Sequence, residues 1–101
     1  MNKNFIENHS YAASVLLKAL SNQKRLHIAC VLQNGEKAVG ELEKIIGLSQ
    51  SALSQHLARL RRDNIVKTRR EAQTIYYSLD NELAEKLLVS LCDILSCPDE
   101  D

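Results

Sequence analysis

The stretch SQSALSQHLARLRR, residues 49–62, places apolar and polar side chains on two faces of one predicted helix. Leu53, Leu57 and Leu60 recur at helical spacing and form an apolar stripe. The other face begins with amide and hydroxyl groups, which can hydrogen-bond to base edges in the major groove of DNA, and ends with guanidinium groups, which pair with phosphates. The candidate base-reading residues are Gln50, Ser51, Ser54 and Gln55, and the candidate phosphate contacts are Arg59, Arg61 and Arg62.

Three cysteines, Cys30, Cys92 and Cys97, are the other residues able to do chemistry. Cys30 falls in an apolar segment, where a thiol is most often a small buried hydrophobe. Cys97 stands in SCPDED, where Pro98 ends the helix and is expected to leave the thiol partly exposed, although the acidic neighbours oppose thiolate formation. The residues alone therefore leave three roles open: reactive thiols, metal ligands or plain buried side chains.

Five helices and one β-hairpin are predicted to position these groups. Hydrophobic periodicity predicts helices over about 8–20, 22–34, 39–46, 50–62 and 80–96, and a hairpin over 65–79. Ser21 or Asn22 is predicted to cap the second helix, Ser49 the fourth and Asp80 the last. The apolar positions of the third helix, Val39, Leu42, Ile45 and Ile46, are expected to be buried. The first helix is expected to have an apolar side made of Ala12, Val15, Leu16, Ala19 and Leu20.

Two short helices joined by a turn at Gly47 predict a helix-turn-helix. The hairpin directly follows the second of these helices and has a basic tip, with Arg69 and Arg70 at the tip and Gln73 on the return strand. These three side chains are candidates for phosphate contact or for entry into the adjacent minor groove. The predicted fold is therefore mainly α with a β-hairpin wing, a winged helix-turn-helix.

Composition and charge fit one domain over residues 1–101, with no repeat or linker. The net charge of zero conceals segregation: residues 59–79 carry six basic and two acidic side chains, whereas residues 80–101 carry one and seven. This pattern predicts a local anion-binding surface. The few aromatic residues predict a thin core that a second subunit would complete, so a homodimer is expected. No targeting or membrane-spanning segment is recognised, and a cytoplasmic location without membrane association is expected.

Together the segments ALSNQKRLHIACVL, VGELEKIIGLSQSALSQHLARLRRDNIVKTRREAQTIYYSL and CDILSCP resemble the ArsR/SmtB family of winged helix-turn-helix repressors over residues 12–98. The chain is most similar to the persulfide-sensing, or reactive-sulfur, branch, in which SALSQHL, REAQT and a cysteine pair recur. The resemblance implies a homodimer paired through its first and last helices that binds a double-stranded operator with an inverted repeat. Ala72 and Gln73 depart from the wider family, which has Gly and Arg there.

The resemblance also implies an effector. Cys30 and Cys97 match the redox-sensing pair of the reactive-sulfur branch, in which a persulfide or polysulfide inducer bridges the two thiols by a polysulfide or disulfide and lowers operator affinity. Cys92 matches no functional position of the family. Metal-sensing relatives have cysteines in the third helix or histidines in the last, and neither is present, so no metal and no cofactor are expected.

Other functions stay open from the residues alone. A thiol-ligated metal or arsenic(III)-responsive repressor could use all three cysteines, with His27 as a further ligand. A DNA-binding protein without an effector is a second alternative. A thiol oxidoreductase would need a Cys-x-x-Cys motif near a βαβ pattern, which the chain lacks, so the chain is not expected to be an enzyme.

Overall fold

Residues 3–96 are described by the computed structural model, which has five helices and three strands. They are α1 Lys3–Leu20, α2 Gln23–Leu32, β1 Lys37–Ala38, α3 Val39–Ile46, α4 Gln50–Arg62, β2 Val66–Glu71, β3 Thr74–Leu79 and α5 Glu82–Leu95. The predicted order of helices and wing is confirmed, and the predicted bounds agree within two residues except at the start of α1, which begins earlier. No helix within residues 3–96 has the length and apolar character needed to cross a membrane.

The strand β1 was not predicted. It has two residues, and Lys37 and Ala38 pair antiparallel with Tyr77 and Tyr76 of β3, giving a three-stranded sheet of order β1-β3-β2. Two residues are too few for an alternating pattern, so only the pairing with β3 identifies the strand. The sheet joins the wing to the segment between α2 and α3.

A single apolar core holds the helix-turn-helix. Leu53, Leu57 and Leu60 are at most 2% exposed, which confirms the predicted stripe of α4. One residue that was expected to be buried is exposed. Ile45 is 46% exposed because α3 turns Leu42 and Ile46 toward the core, about one helical turn apart, and Ile45 falls beside that face. The remaining core residues are Leu16, Ala19, Leu20, Ile28, Ala29, Leu32, Ile65, Val66, Ala84 and Leu88.

Ala12, predicted on the apolar side of the first helix, belongs to a part of α1 that packs against little of its own chain. The described side chains of α1 before Val15 are all exposed, and Tyr11 and Leu17 are 78% and 56% exposed. The last helix has a similar outward face, since Ile94 and Leu95 are 69% and 75% exposed. Both terminal helices therefore present apolar surface that the described chain does not cover.

Side-chain caps begin three of the helices. Asn22 Oδ1 accepts hydrogen bonds from the backbone N–H groups at the start of α2, and Ser49 Oγ accepts one from Ala52 N at 3.2 Å, as predicted. The predicted cap of α5 was wrong by one residue: Asn81 Oδ1 accepts the bond from the Ala84 N–H at 3.0 Å. Asp80 instead lies one residue outside the cap, where its own N–H donates to Ile65 O at 2.8 Å.

The helix-turn-helix depends on a left-handed residue, Gly47 (φ +78°), whose N–H donates to Glu43 O at 2.9 Å and ends α3. We expect Gly47→Ala to lower the free energy of unfolding by about 1–2 kcal/mol, because a Cβ is strained in this conformation. Gly40, near the start of α3, is the matched control: an added Cβ there meets no atom within 4 Å, so Gly40→Ala should stabilise by up to about 1 kcal/mol. Urea unfolding at one protein concentration measures both, and equal effects would contradict the assignment.

Candidate nucleic-acid interface and thiol groove

The N-terminal half of α4 presents the candidate base-reading side chains to solvent. Because the leucine stripe faces the core, Gln50, Ser51, Ser54 and Gln55 all point outward and are exposed. The Ser49 cap fixes the start of this helix, so the four side chains stand on a rigid element. They form a row of amide and hydroxyl groups open to a partner.

The three arginines of α4 differ in their surroundings. Arg59 is half-buried, and its Nε donates to Asp63 Oδ2 at 3.0 Å, four residues later. Burial of Asp63 acts to raise the pKa of its carboxyl group, but the hydrogen bond from Arg59 and the charge of Arg62 bring this pKa below its ordinary value. Arg61 and Arg62 are exposed. Arg62 Nε also lies 3.5 Å from Asp63 Oδ1. Of the predicted phosphate contacts on α4, Arg59 and Arg62 thus both have a carboxylate partner within the chain, and the contact of Arg59 is the shorter and the more buried.

The register of the wing places its two arginines on opposite faces. Arg70 lies opposite Ile75, Arg69 opposite Tyr76 and Thr68 opposite Tyr77. Since side chains alternate along a strand, Arg70 shares a face with Thr68 and Tyr77, whereas Arg69 shares the other with Tyr76. A hollow of about 480 Å³ lies between α4 and the Arg70 face, and it is lined by Ser54, Ala58, Arg61, Arg62 and Tyr77.

Arg69 is held by two carboxylates on the opposite face. Its Nε and Nη2 donate to the two oxygens of Glu36 at 2.9 and 2.7 Å, and its Nη1 donates to Glu71 at 2.8 Å. The guanidinium also lies 4.4 Å from the centre of the Tyr76 ring. The hydrogen bond from Arg69 lowers the pKa of Glu36, and the bonds to Glu36 and then to Glu71 raise the pKa of Arg69.

Gln73 lies in the hairpin turn and not on the return strand, which corrects its predicted position. The strand β2 ends at Glu71 and β3 begins at Thr74, so Ala72 and Gln73 form a two-residue loop. Ala72 has φ +57°, a left-handed conformation that glycine more often supplies in such loops. Gln73 is exposed at the end of the wing.

Cys30 lines an apolar groove of about 300 Å³ between α2 and α5, together with Leu26, Leu91, Cys92, Leu95 and Ser96. Cys30 is half-buried, and burial, followed by the charge of Cys92, raises the pKa of its thiol above the ordinary value. Cys97 follows Ser96 in the sequence and lies outside the described residues. Of the predicted redox-sensing pair, the structure therefore describes Cys30 alone.

Cys92, which is not a member of the predicted redox-sensing pair, lies in the same groove as Cys30. It is exposed, and its Sγ donates a weak hydrogen bond to Gln33 Oε1 at 3.8 Å. Helical spacing could have predicted that Cys92 lies on the inner side of α5, because it comes one turn after Leu88, which packs in the core. The structure thus adds a second thiol beside Cys30.

None of the three histidines lines this groove, so they add no ligand to its two thiols. His9 and His27 are exposed, and His56 is half-buried on α4, where burial, followed by the charges of Arg25 and Lys24, lowers its pKa. Across residues 3–96, no group of three or more His, Cys, Asp and Glu side chains is arranged to hold a metal ion.

Comparisons with known proteins agree with this architecture. The family model described as "Bacterial regulatory protein, arsR family" matches residues 16–68. The transcriptional activator HlyU of Vibrio cholerae is 50% identical over 97 residues, which cover 96% of this chain and 89% of HlyU. The crystal structure of the transcriptional repressor BigR from Xylella fastidiosa has a TM-score of 0.88 at 41% identity, covering 94% of this chain and 97% of BigR.

A homodimeric winged helix-turn-helix DNA-binding domain from Mycobacterium bovis, solved by NMR, has a TM-score of 0.79 at 25% identity and covers 95% of this chain and 88% of its own. The matched family model spans more than half of the chain, and the relatives match along nearly its whole length. The chain therefore belongs to the arsR family of bacterial regulatory proteins, as a winged helix-turn-helix transcriptional regulator and not an enzyme.

Proposed function

We propose that the chain is a repressor that binds an inverted-repeat operator in double-stranded DNA through α4 and the wing. The observation that carries this proposal is the outward row of Gln50, Ser51, Ser54 and Gln55 beside the hollow between α4 and the wing. In this arrangement the amide and hydroxyl groups read base edges, while Arg61 and Arg62 at the hollow and Arg70 on the adjoining wing face contact phosphates. Gln73 at the wing tip reaches the neighbouring minor groove.

The proposed binding unit is a homodimer paired through α1 and α5. Support comes from the apolar side chains that these helices expose, Tyr11 and Leu17 on α1 and Leu83, Ile94 and Leu95 on α5. Large exposed apolar surface on a small protein marks an interaction site. A two-fold axis between the subunits sets two copies of α4 about 34 Å apart, which matches successive major grooves of an inverted repeat.

The proposed effector is a persulfide or polysulfide that bridges Cys30 and Cys97. The Cys30 thiolate attacks the outer sulfur of a low-molecular-weight persulfide, takes that sulfur and releases the donor as a thiol. The Cys97 thiolate then attacks the Cys30 Sγ, which forms a disulfide and expels the added sulfur as hydrosulfide. When each thiol already carries one added sulfur, the same condensation expels one hydrosulfide and leaves a trisulfide. A tetrasulfide forms in the same way when one of the two cysteines has first taken a second sulfur from another persulfide molecule, which leaves as a thiol.

Support for this chemistry comes from the groove that Cys30 lines. Its walls are α2 and α5, and it extends to Ser96, the residue before Cys97 in the sequence. A covalent bridge between Cys30 and Cys97 would join α2 to the end of α5, one of the two helices proposed to pair the subunits. A tenfold loss of operator affinity requires only about 1.4 kcal/mol of coupling.

Cys92 gives a specific reason to keep a second effector class. Cys30 and Cys92 place two thiols in one groove, and thiolates are the ligands that soft metal ions and arsenic(III) prefer. A thiol-ligated metal or arsenic(III) sensor would bind its ion stoichiometrically, and binding would require Cys92. Intact-mass measurement after separate exposure to persulfide and to arsenite distinguishes the two classes.

The DNA surface predicts two kinds of mutational effect. Gln55→Ala and Ser54→Ala should each weaken operator binding by about 1–3 kcal/mol and leave non-specific binding nearly unchanged, because these side chains read bases. Arg70→Ala should weaken both and reduce the salt dependence by about one phosphate contact. Fluorescence anisotropy with operator and scrambled duplexes over a salt series separates the two patterns. If Gln55→Ala and Arg70→Ala behaved alike, the base-reading role would be wrong.

The dimer model predicts which exposed apolar residues matter for assembly. Leu17→Glu and Ile94→Glu should shift the protein toward monomer, because each buries a charge in the proposed interface. Ile45→Glu is the matched control: Ile45 is an exposed apolar residue on α3, away from the terminal helices, and the dimer should survive its substitution. Sedimentation velocity measures the monomer fraction. Dissociation by Ile45→Glu alone would contradict the assignment of the interface.

The cysteine assignment predicts that Cys92→Ser still releases operator on persulfide treatment, while Cys30→Ser and Cys97→Ser stay bound. The physical reason is that only the last two substitutions remove a thiol of the proposed bridge. Hydrogen peroxide should be the weaker inducer if the two sulfurs stand too far apart for a direct disulfide, since each inserted sulfur adds up to about 2 Å of reach. Tandem mass spectrometry identifies the bridged residues, and a cross-link through Cys92 would refute this pairing.

A further inference from the structure

Arg69 connects two distant parts of the chain. Glu36, its bidentate partner, is 33 residues earlier, in the segment between the end of α2 at Leu32 and β1. Paired Nε and Nη2 contacts at 2.9 and 2.7 Å fix both the distance and the plane of the guanidinium. The ring of Tyr76 lies against the same group, so Arg69 is held from three directions.

The same contacts make Arg69 poorly suited to a phosphate. Its single positive charge already faces two carboxylates, Glu36 and Glu71, and the hydrogen bond from Arg69 lowers the pKa of Glu36, as a direct ion pair does. By strand alternation, Arg69 points away from the face that carries Arg70 and borders the hollow beside α4. A phosphate would have to approach the other face and displace a carboxylate.

We propose that Arg69 is a positioning residue, which fastens the wing to the segment after α2 and so sets the wing for operator binding. This inference rests on the operator binding proposed above and replaces the phosphate contact expected for Arg69. The same contact also connects a change at the thiol groove to the position of the wing. Cys30 is in α2, and Glu36 follows the end of α2 by four residues, so a displacement of that end reaches the wing through Arg69.

The two roles of Arg69 predict opposite results for Glu36→Gln. If Arg69 contacts phosphate, removing its carboxylate partner frees the guanidinium, so DNA binding tightens, and Arg69→Gln lowers the salt slope by about one contact. If Arg69 positions the wing, both substitutions lower the ratio of operator affinity to scrambled-duplex affinity, and both leave the salt slope unchanged. The double variant should then be no worse than either single variant, because one link is broken in each case.

The experiment uses full-length reduced protein without inducer, with operator and scrambled duplexes titrated over a salt series. We expect Glu36→Gln, Arg69→Gln and the double variant each to lower the affinity ratio by roughly five- to tenfold. Lys67→Gln is the matched control. Lys67 is an exposed cation on the same face of β2, and its ion pair is with Asp80 at 3.8 Å, just after β3. It acts on Glu36 through its charge alone and more weakly than Arg69 does, so its loss should leave the ratio unchanged.

A second readout does not depend on DNA. Hydrogen exchange of the β2 and β3 amides should be faster in Glu36→Gln than in wild type and unaltered in Lys67→Gln. Tighter DNA binding by Glu36→Gln, additive losses in the double variant, or unaltered exchange would each overturn the proposal. Gln55→Ala in the same titration separates the two questions: an unaffected operator affinity there refutes the proposed base-reading surface, while the exchange result still decides the role of Arg69.

Discussion

The spacing of three leucines along α4 is the constraint on which the functional surface depends. Leu53, Leu57 and Leu60 are buried at intervals of four and three residues, and burial of each side chain contributes on the order of 1.5–3 kcal/mol. Each residue turns the helix by about 100°. If the leucines were displaced by one position in the sequence, α4 would rotate by that angle to bury them, and the row of polar side chains would leave the outward face. Packing in the core therefore determines which side chains stand on the proposed DNA-binding face.

The same packing extends from α4 into the wing and into α2. Ile65 and Val66, buried just after α4, carry the chain from the helix into β2, and the Ile65 N–H donates to Leu60 O at 2.9 Å. The helix α2, which bears Cys30, contacts α1, α3, α4 and β3, and two of these, α4 and β3, belong to the proposed DNA-binding surface. A close-packed interior transmits a displacement of such a helix instead of absorbing it.

Periodicity was sufficient to predict the helices, the helix-turn-helix, the wing and the buried face of α4, because each has a pattern several residues long. Features that depend on contacts between distant segments were not predicted. β1 has two residues and is a strand only through its pairing with β3. The meeting of Cys92 with Cys30 depends on how α5 is rotated against α2. The pairing of Arg69 with Glu36 likewise depends on a segment 33 residues away, so its sequence position beside Arg70 does not reveal that the two arginines lie on opposite faces with different surroundings.

The pairing of β1 with β3 has a consequence for how the protein folds. Lys37 and Tyr77 are forty residues apart, and the chain between them contains α3, α4 and most of the wing. Closing a flexible loop of that length costs roughly 3 kcal/mol of chain entropy, which falls once the enclosed helices have packed and shortened it. The strand β1 should consequently join the sheet late, after the helix-turn-helix has formed, and in a newly synthesised chain it cannot pair until Tyr77 has been added.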